Sequence, residues 1–125
     1  MSLISVAYVL SALIGVGIIF VGLRFMFAPV ASAEGFGVAA PAEGGSGAYF
    51  AVKGIRDIAS GLIIFALLAL GQHDALGWMM LAATVIPVGD AVIVLKWRGP
   101  RSLAYGMHGA TAAVMAAIAA CLLLA

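Results

Sequence analysis

Four long apolar stretches dominate the chain, and shorter polar segments separate them. The stretches are continuous and rich in Ala, Leu and Gly, without the alternation of apolar and polar residues that is typical of membrane β-strands. About 20 apolar residues are enough for a helix to cross a bilayer. The pattern predicts an all-α, single-domain integral membrane protein, a four-helix transmembrane bundle with helices at about 3–27, 49–70, 75–95 and 102–124.

Composition supports this class and excludes others. Of the 125 residues, 66% are hydrophobic and only 9% are charged, with a mean hydropathy of +1.25, whereas about a quarter of the residues in a soluble domain are charged. The net charge is +1 and there is no basic run, so we expect no nucleic-acid partner. The single cysteine cannot form an intrachain disulfide.

The basic residues predict an orientation. Arg24 and Lys53 flank the first connection, and Lys96, Arg98 and Arg101 surround the third, whereas the second connection and both ends have no Lys or Arg. Basic connections stay on the cytoplasmic side of a membrane. We therefore expect both termini to be extracytoplasmic.

The first connection, 28–48, is much longer than the other two and would be a cytoplasmic loop. Long connections in compact domains are usually functional lids or unstructured linkers. This one is mildly apolar and lies on the side where charged residues accumulate. Two interpretations stay open at this point, a mobile surface loop and a lid over a site.

Ionisable residues from all four predicted helices would reach similar membrane depths. Charges inside a membrane are costly and mark functional sites by default. Simpler explanations compete, because long basic side chains reach back to lipid headgroups and an ion pair can merely join two helices. The residues are Arg24, Lys53, Arg56, Asp57, Asp90 and His108.

Helical spacing suggests how these charges pair. Lys53 and Asp57 are four residues apart and can pair on one face of the second helix. Arg56 points about 100° away from Asp57 and carries a forked donor that suits a carboxylate on a neighbouring helix. We expect Arg56 to pair with Asp90, and Asp57 to face a cavity near His108.

The third helix should be irregular beside Asp90. Pro87 lacks a backbone N–H and leaves the carbonyl of Ala83 without its helical partner, and Gly89 adds freedom. On the fourth helix, Tyr105 and His108 are expected to share a face that Thr111 borders.

Three motifs resemble a known family. They are Gly54-Ile55-Arg56-Asp57 with Gly61, Ile86-Pro87-Val88-Gly89-Asp90, and His108-Gly109-Ala110-Thr111-Ala112. The chain resembles a family of small four-helix membrane proteins known as a domain of unknown function, which is distantly similar to DoxX/DoxD-like membrane proteins. The resemblance implies a membrane bundle, expected in a bacterial inner membrane, and no established activity.

The residues indicate proton chemistry on a small lipophilic molecule. Asp57, Asp90 and His108 would act as the catalytic, proton-handling groups. The substrate-binding residues would be Arg56, Arg24, Lys53, Tyr105 and Thr111. No metal or cofactor is expected, because no metal-ligand spacing or phosphate loop occurs, and whether the protein is an enzyme stays open.

Two other functions stay open. Four spans in a chain of this size also fit a proton-coupled transporter acting as a dimer. An accessory subunit of a larger membrane complex fits the small residues along the helices. The expected partners are the lipid bilayer and a small lipophilic ligand, with a homodimer left open.

Overall fold

The computed structural model describes residues 1–38 and 46–125, which fold as an all-α protein. The helix bounds follow the apolar stretches closely, with one further helix inside the predicted first loop. The helices are α1 (Leu3–Phe27), α2 (Pro29–Phe36), α3 (Ser46–Ala69), α4 (His73–Ala83), α5 (Val85–Lys96) and α6 (Arg101–Leu124).

Three helical stretches in the described part of the chain are long and apolar enough to cross a membrane. They are α1, the combined stretch His73–Lys96 that contains α4 and α5, and α6. A membrane location is therefore plausible on physical grounds. The charged residues Lys53, Arg56 and Asp57 set α3 apart from these three stretches.

Helices α1 and α3 pack against each other through their backbones. A Cβ atom added at Gly22 would lie 2.5 Å from the carbonyl oxygen of Gly54, and one added at Gly61 would lie 2.7 Å from that of Gly15. No larger residue fits these positions without moving a helix. Small residues allow helices to approach this closely, and among the described helices α1 and α3 form the most extensive contact.

The third apolar stretch is interrupted, as Pro87 predicts. Helix α4 ends at Ala83, α5 begins at Val85, and Thr84 lies between them. The hydroxyl of Thr84 donates a 2.7 Å hydrogen bond to the carbonyl of Met80. The interruption lies one turn before Pro87, where a missing proline N–H breaks the helical hydrogen-bond pattern.

Helix α6 contains a π-helical segment, Ala104–Gly109, near its start. Within this segment His108 is buried, and after it Ala112 and Met115 are buried on the same helix. Tyr105 is 63% exposed, so the prediction that Tyr105 and His108 share a face is wrong. The physical reason is the wider i→i+5 turn of a π-helix, which changes the angle between residues three apart.

The apolar core occupies the half of the protein that holds both termini. It draws buried side chains from α1, α3, α4 and α6, and polar residues concentrate in the opposite half. The core residues are Ala7, Ile64, Leu76, Met80, Met115, Ile118, Ala119 and Leu122.

Helix α2 turns part of the predicted loop into a packed element. Pro29 begins it, a position where proline is favoured, and Gly37 ends it in the left-handed conformation with φ 105°. Ser32 and Ala33 are buried, and a Cβ atom at Gly99 would collide with the Gly37 carbonyl oxygen. This part is therefore no mobile surface loop; residues 39–45 of the predicted loop lie outside the described residues.

Candidate functional site

Lys53 and Asp57 form an ion pair on α3, as their spacing predicts. The Lys53 Nζ lies 2.6 Å from Asp57 Oδ2. The side chains are 30% and 13% exposed, respectively. The pair is therefore partly withdrawn from solvent, and its carboxylate is the better covered of the two groups.

Two aromatic rings enclose the ammonium group of Lys53. Its Nζ lies 4.2 Å from the ring centroid of Phe25 on α1 and 4.8 Å from that of Phe36 on α2. The two rings meet edge to face, with centroids 5.9 Å apart. Cations are attracted to ring faces at such distances. The sequence did not predict Phe25 or Phe36 as site residues, because nothing in their spacing indicates which helices meet here.

His108 is held by the backbone of α2. Its Nε2 donates a 2.8 Å hydrogen bond to the carbonyl of Phe36, and the imidazole packs on the Phe36 ring with centroids 4.3 Å apart. The His108 side chain is only 7% exposed. Phe36 thus contacts His108 on one side and Lys53 on the other.

Asp90 on α5 faces the other nitrogen of the same ring. Asp90 Oδ2 lies 4.0 Å from His108 Nδ1, and its side chain is 25% exposed. The Phe36 ring links this pair to the ion pair on α3, because it contacts both His108 and Lys53. Lys53, Asp57, Asp90 and His108 therefore form one group, called the polar cluster below, with Phe36 packed against it.

Four of the predicted ligand-binding residues do not join this cluster. Arg24, Arg56 and Tyr105 are exposed, and Thr111 donates a 2.7 Å hydrogen bond to the carbonyl of Met107 on its own helix. The ion pairs within residues 1–38 and 46–125 join Lys53 to Asp57, His73 to Asp74, and His108 to Asp90.

The prediction that Arg56 pairs with Asp90 is therefore wrong. Arg56 lies two residues after Gly54, about 200° around the helix, and Gly54 faces α1. Arg56 consequently lies on the outer surface of α3, where it is exposed. Arg56 was predicted to contact a neighbouring helix, but it lies on the outer face of α3.

Ser32 places a buried hydroxyl on the helix that covers the cluster. It precedes Phe36 by one turn on the same face of α2. Its Oγ is buried and has no hydrogen-bond partner among the residues that the structure describes. Buried polar groups usually have partners, so this hydroxyl remains available for one.

The described side chains limit the chemistry. Within residues 1–38 and 46–125, no three His, Cys, Asp or Glu side chains come together in the way that a metal site requires. The cluster offers an imidazole, two carboxylates and an ammonium group beside aromatic walls. Such groups can exchange protons and bind an oxygen-bearing group.

Comparisons with known proteins point to one family. A family model described as a domain of unknown function (DUF4267) matches residues 15–122, which include every member of the polar cluster. No curated protein matches the chain, and no solved structure matches it.

Proposed function

From the premise that this chain belongs to the DUF4267 family, we propose that its polar cluster is an intramembrane site for a small lipophilic molecule. The molecule carries an oxygen-bearing group, and Asp90 and His108 exchange a proton with it. In this proposal α3 is the fourth membrane-spanning helix, and its charged residues face the site from within the bundle. Arg56 is left outside the site.

The observation that carries the proposal is the fixed orientation of His108. A carbonyl oxygen only accepts hydrogen bonds, so the Phe36 carbonyl assigns the N–H to Nε2. In the neutral ring, Nδ1 then holds a lone pair, and this is the nitrogen that faces Asp90 at 4.0 Å. One proton can therefore reside on Asp90 or on Nδ1.

The separation between these two groups supports exchange with a third. A distance of 4.0 Å exceeds that of a direct hydrogen bond. A ligand oxygen or a water molecule placed beside both groups could bridge Asp90 and His108 through hydrogen bonds. A purely structural pair would be expected to close to direct hydrogen-bond distance, as Lys53 and Asp57 do at 2.6 Å.

Lys53 and the phenylalanines indicate the class of ligand. The ammonium group has three donors, and Asp57 occupies one of them. The remaining donors suit a carbonyl, hydroxyl or carboxylate oxygen, while Phe25 and Phe36 supply apolar surface. The complementary ligand is an amphiphile with a compact polar end and a hydrocarbon body.

Matched probes test this proposal. The chain is placed in lipid nanodiscs with 15N-labelled histidine, and 2-decanone, decanoic acid or decane is added. We expect the oxygen-bearing probes to shift the His108 ring signals while decane does not, and Asp90→Asn to abolish the shift. His73, the second histidine of the chain, is the internal control. Equal shifts at both histidines, or an unchanged response in Asp90→Asn, would contradict the proposal.

Proton movement distinguishes binding or chemistry from transport. In liposomes with an imposed pH gradient, a transporter couples probe addition to proton flux across the membrane, whereas a binding or catalytic site does not. We propose binding or catalysis rather than transport because the cluster lies in one half of the bundle and is covered by α2.

The distant similarity to DoxX-like proteins stays a prediction.

A further inference from the structure

A second polar feature lies at the turn between α5 and α6 and is separate from the polar cluster. It is an open groove of about 550 Å³, called the arginine groove below. Its lining residues are Leu95, Arg98, Gly99, Arg101 and Tyr105. Neither arginine forms an ion pair with a carboxylate in residues 1–38 or 46–125.

The backbone at Arg98 is unusual. Gly99 N–H donates to the carbonyl of Val94 at 2.7 Å, and Arg98 N–H donates to that of Leu95 at 3.1 Å. This is the Schellman pattern that ends many helices, in which glycine normally occupies the left-handed position. Here Arg98 occupies it with φ 60°.

An arginine in this position has a conformational cost. The left-handed conformation costs a residue with a Cβ atom about 1–2 kcal/mol. Strained residues of this kind concentrate where a side chain has a function. Despite this cost, the chain has Arg98 at this position, where it lines the groove together with Arg101 and Tyr105.

We propose that the arginine groove binds a phosphate group, and that its source is the headgroup of an anionic phospholipid. Arginine forks match phosphate oxygens in pairs, and a tyrosine hydroxyl supplies a further donor. The exposed apolar residues Val92 and Ile93 on α5 continue from the groove along the helix. They offer apolar surface for acyl chains. A phospholipid has such chains and free phosphate does not, so this surface favours the lipid.

Tryptophan fluorescence tests the proposal on the full chain in phosphatidylcholine vesicles. Trp78→Phe leaves Trp97, one residue from Arg98, as the reporter; Trp97→Phe leaves Trp78 on α4 as the control. A small fraction of phosphatidylglycerol with brominated chains is the quencher, compared with the same fraction of brominated phosphatidylcholine. We expect the anionic lipid to quench Trp97 more strongly, with no such preference at Trp78.

Arg98→Gly separates binding from folding. Glycine suits the left-handed position, so this variant should unfold at a higher temperature while its affinity for phosphatidylglycerol falls on the order of tenfold. Arg98→Lys should lose part of the preference, because it keeps the charge but not the fork. Lys96→Gln removes one charge beside the groove but not in it, and should change affinity less than about twofold.

Replacing chloride by inorganic phosphate at equal ionic strength distinguishes a lipid headgroup from free inorganic phosphate as the source of the bound phosphate group. If brominated phosphatidylglycerol still quenches Trp97 in phosphate buffer, the lipid headgroup is supported as the source. If phosphate buffer abolishes this quenching, the groove binds the free ion instead. Two results would overturn the proposal. One is equal quenching of Trp97 by both brominated lipids; the other is an equal loss in Lys96→Gln and Arg98→Gly.

Discussion

His108 on α6 and Phe36 on α2 are joined by a 2.8 Å hydrogen bond between a ring nitrogen and a main-chain carbonyl, although they lie 72 positions apart. The acceptor belongs to the backbone, so no side-chain replacement at position 36 removes it. The bond orients the imidazole and also fastens α2 against the bundle. The covering helix and the proton-handling residue are thus coupled.

His108→Ala should release α2. Removing the donor leaves the Phe36 carbonyl without its partner, which costs about 1–3 kcal/mol in a buried setting. Ser32, now 6% exposed, should then become accessible. The measurement is the rate at which a Ser32→Cys thiol reacts with a maleimide, in a Cys121→Ala background.

Two variants control that experiment. Ala31→Cys is exposed from the start and should react rapidly with or without His108. His108→Gln keeps an N–H donor near the carbonyl and should restore part of the protection at position 32. Slow labelling of Ser32→Cys in His108→Ala would show that the hydrogen bond does not hold α2 in place.

Asp57→Ala should destabilise the protein more than the double variant Lys53→Met with Asp57→Leu. The single change leaves an ammonium group between two aromatic rings without its carboxylate. A fully buried pair would cost about 3–5 kcal/mol when broken, and the 30% exposure of Lys53 reduces this to about 1–2 kcal/mol. Unfolding in mixed micelles measures the difference.

Arg56→Gln is the matched control for the ion pair. Arg56 is exposed on the same helix, and its replacement should change the free energy of unfolding by less than about 0.5 kcal/mol. A large loss in Arg56→Gln, together with a small one in Asp57→Ala, would reverse the assignment of partners on α3.

Gly99→Ala should loosen the contact between α2 and the α5–α6 turn. Its new methyl group meets the Gly37 carbonyl oxygen and lies 2.7 Å from Val94 Cγ1, and overpacking of this kind costs about 1–3 kcal/mol. Gly89→Ala is the control, because a Cβ atom there has no neighbour within 4 Å. Faster hydrogen exchange in α2 should appear in Gly99→Ala alone.

Thiol accessibility tests the proposed topology. In a Cys121→Ala background, an impermeant maleimide added to intact spheroplasts should label Ser2→Cys but not Ser102→Cys. The reason is the concentration of Lys and Arg near the third connection, which favours the cytoplasmic side. The reverse labelling pattern would show the opposite orientation. Labelling of both positions would place them on the same side of the membrane, so that an even number of spans would separate them.

The sequence predicted the helical framework well where hydrophobicity alone decides. Apolar length set the bounds of α1 and α6, and the missing N–H of Pro87 predicted the interruption near Ala83. Helix α2 could not be predicted in the same way, because its short sequence is only mildly apolar. Its stability comes from contacts with distant residues rather than from its own pattern.

The site was predicted in part for similar reasons. Lys53 and Asp57 pair locally, so their spacing was sufficient. Asp90 and His108 were expected at one depth, and the structure brings them to 4.0 Å. Arg56 was misassigned because the packing face of α3 is set by glycine contacts with α1, and the aromatic enclosure of Lys53 depends on how three helices meet.

The π-helical segment of α6 has a consequence for chain length. In an uninterrupted α-helix, Tyr105 and His108 would lie only about 60° apart around the axis. A π-helical turn holds about one residue more than an α-helical turn, so the segment takes up one extra residue with little change in the direction of the flanking turns. Deleting one residue within 104–107 should therefore restore regular α-helical hydrogen bonds and leave the groove and the cluster nearly in phase. Deleting a second residue there would rotate the first turn of α6 by about 100° relative to the rest, and Arg101 and His108 could then no longer face the groove and the cluster together.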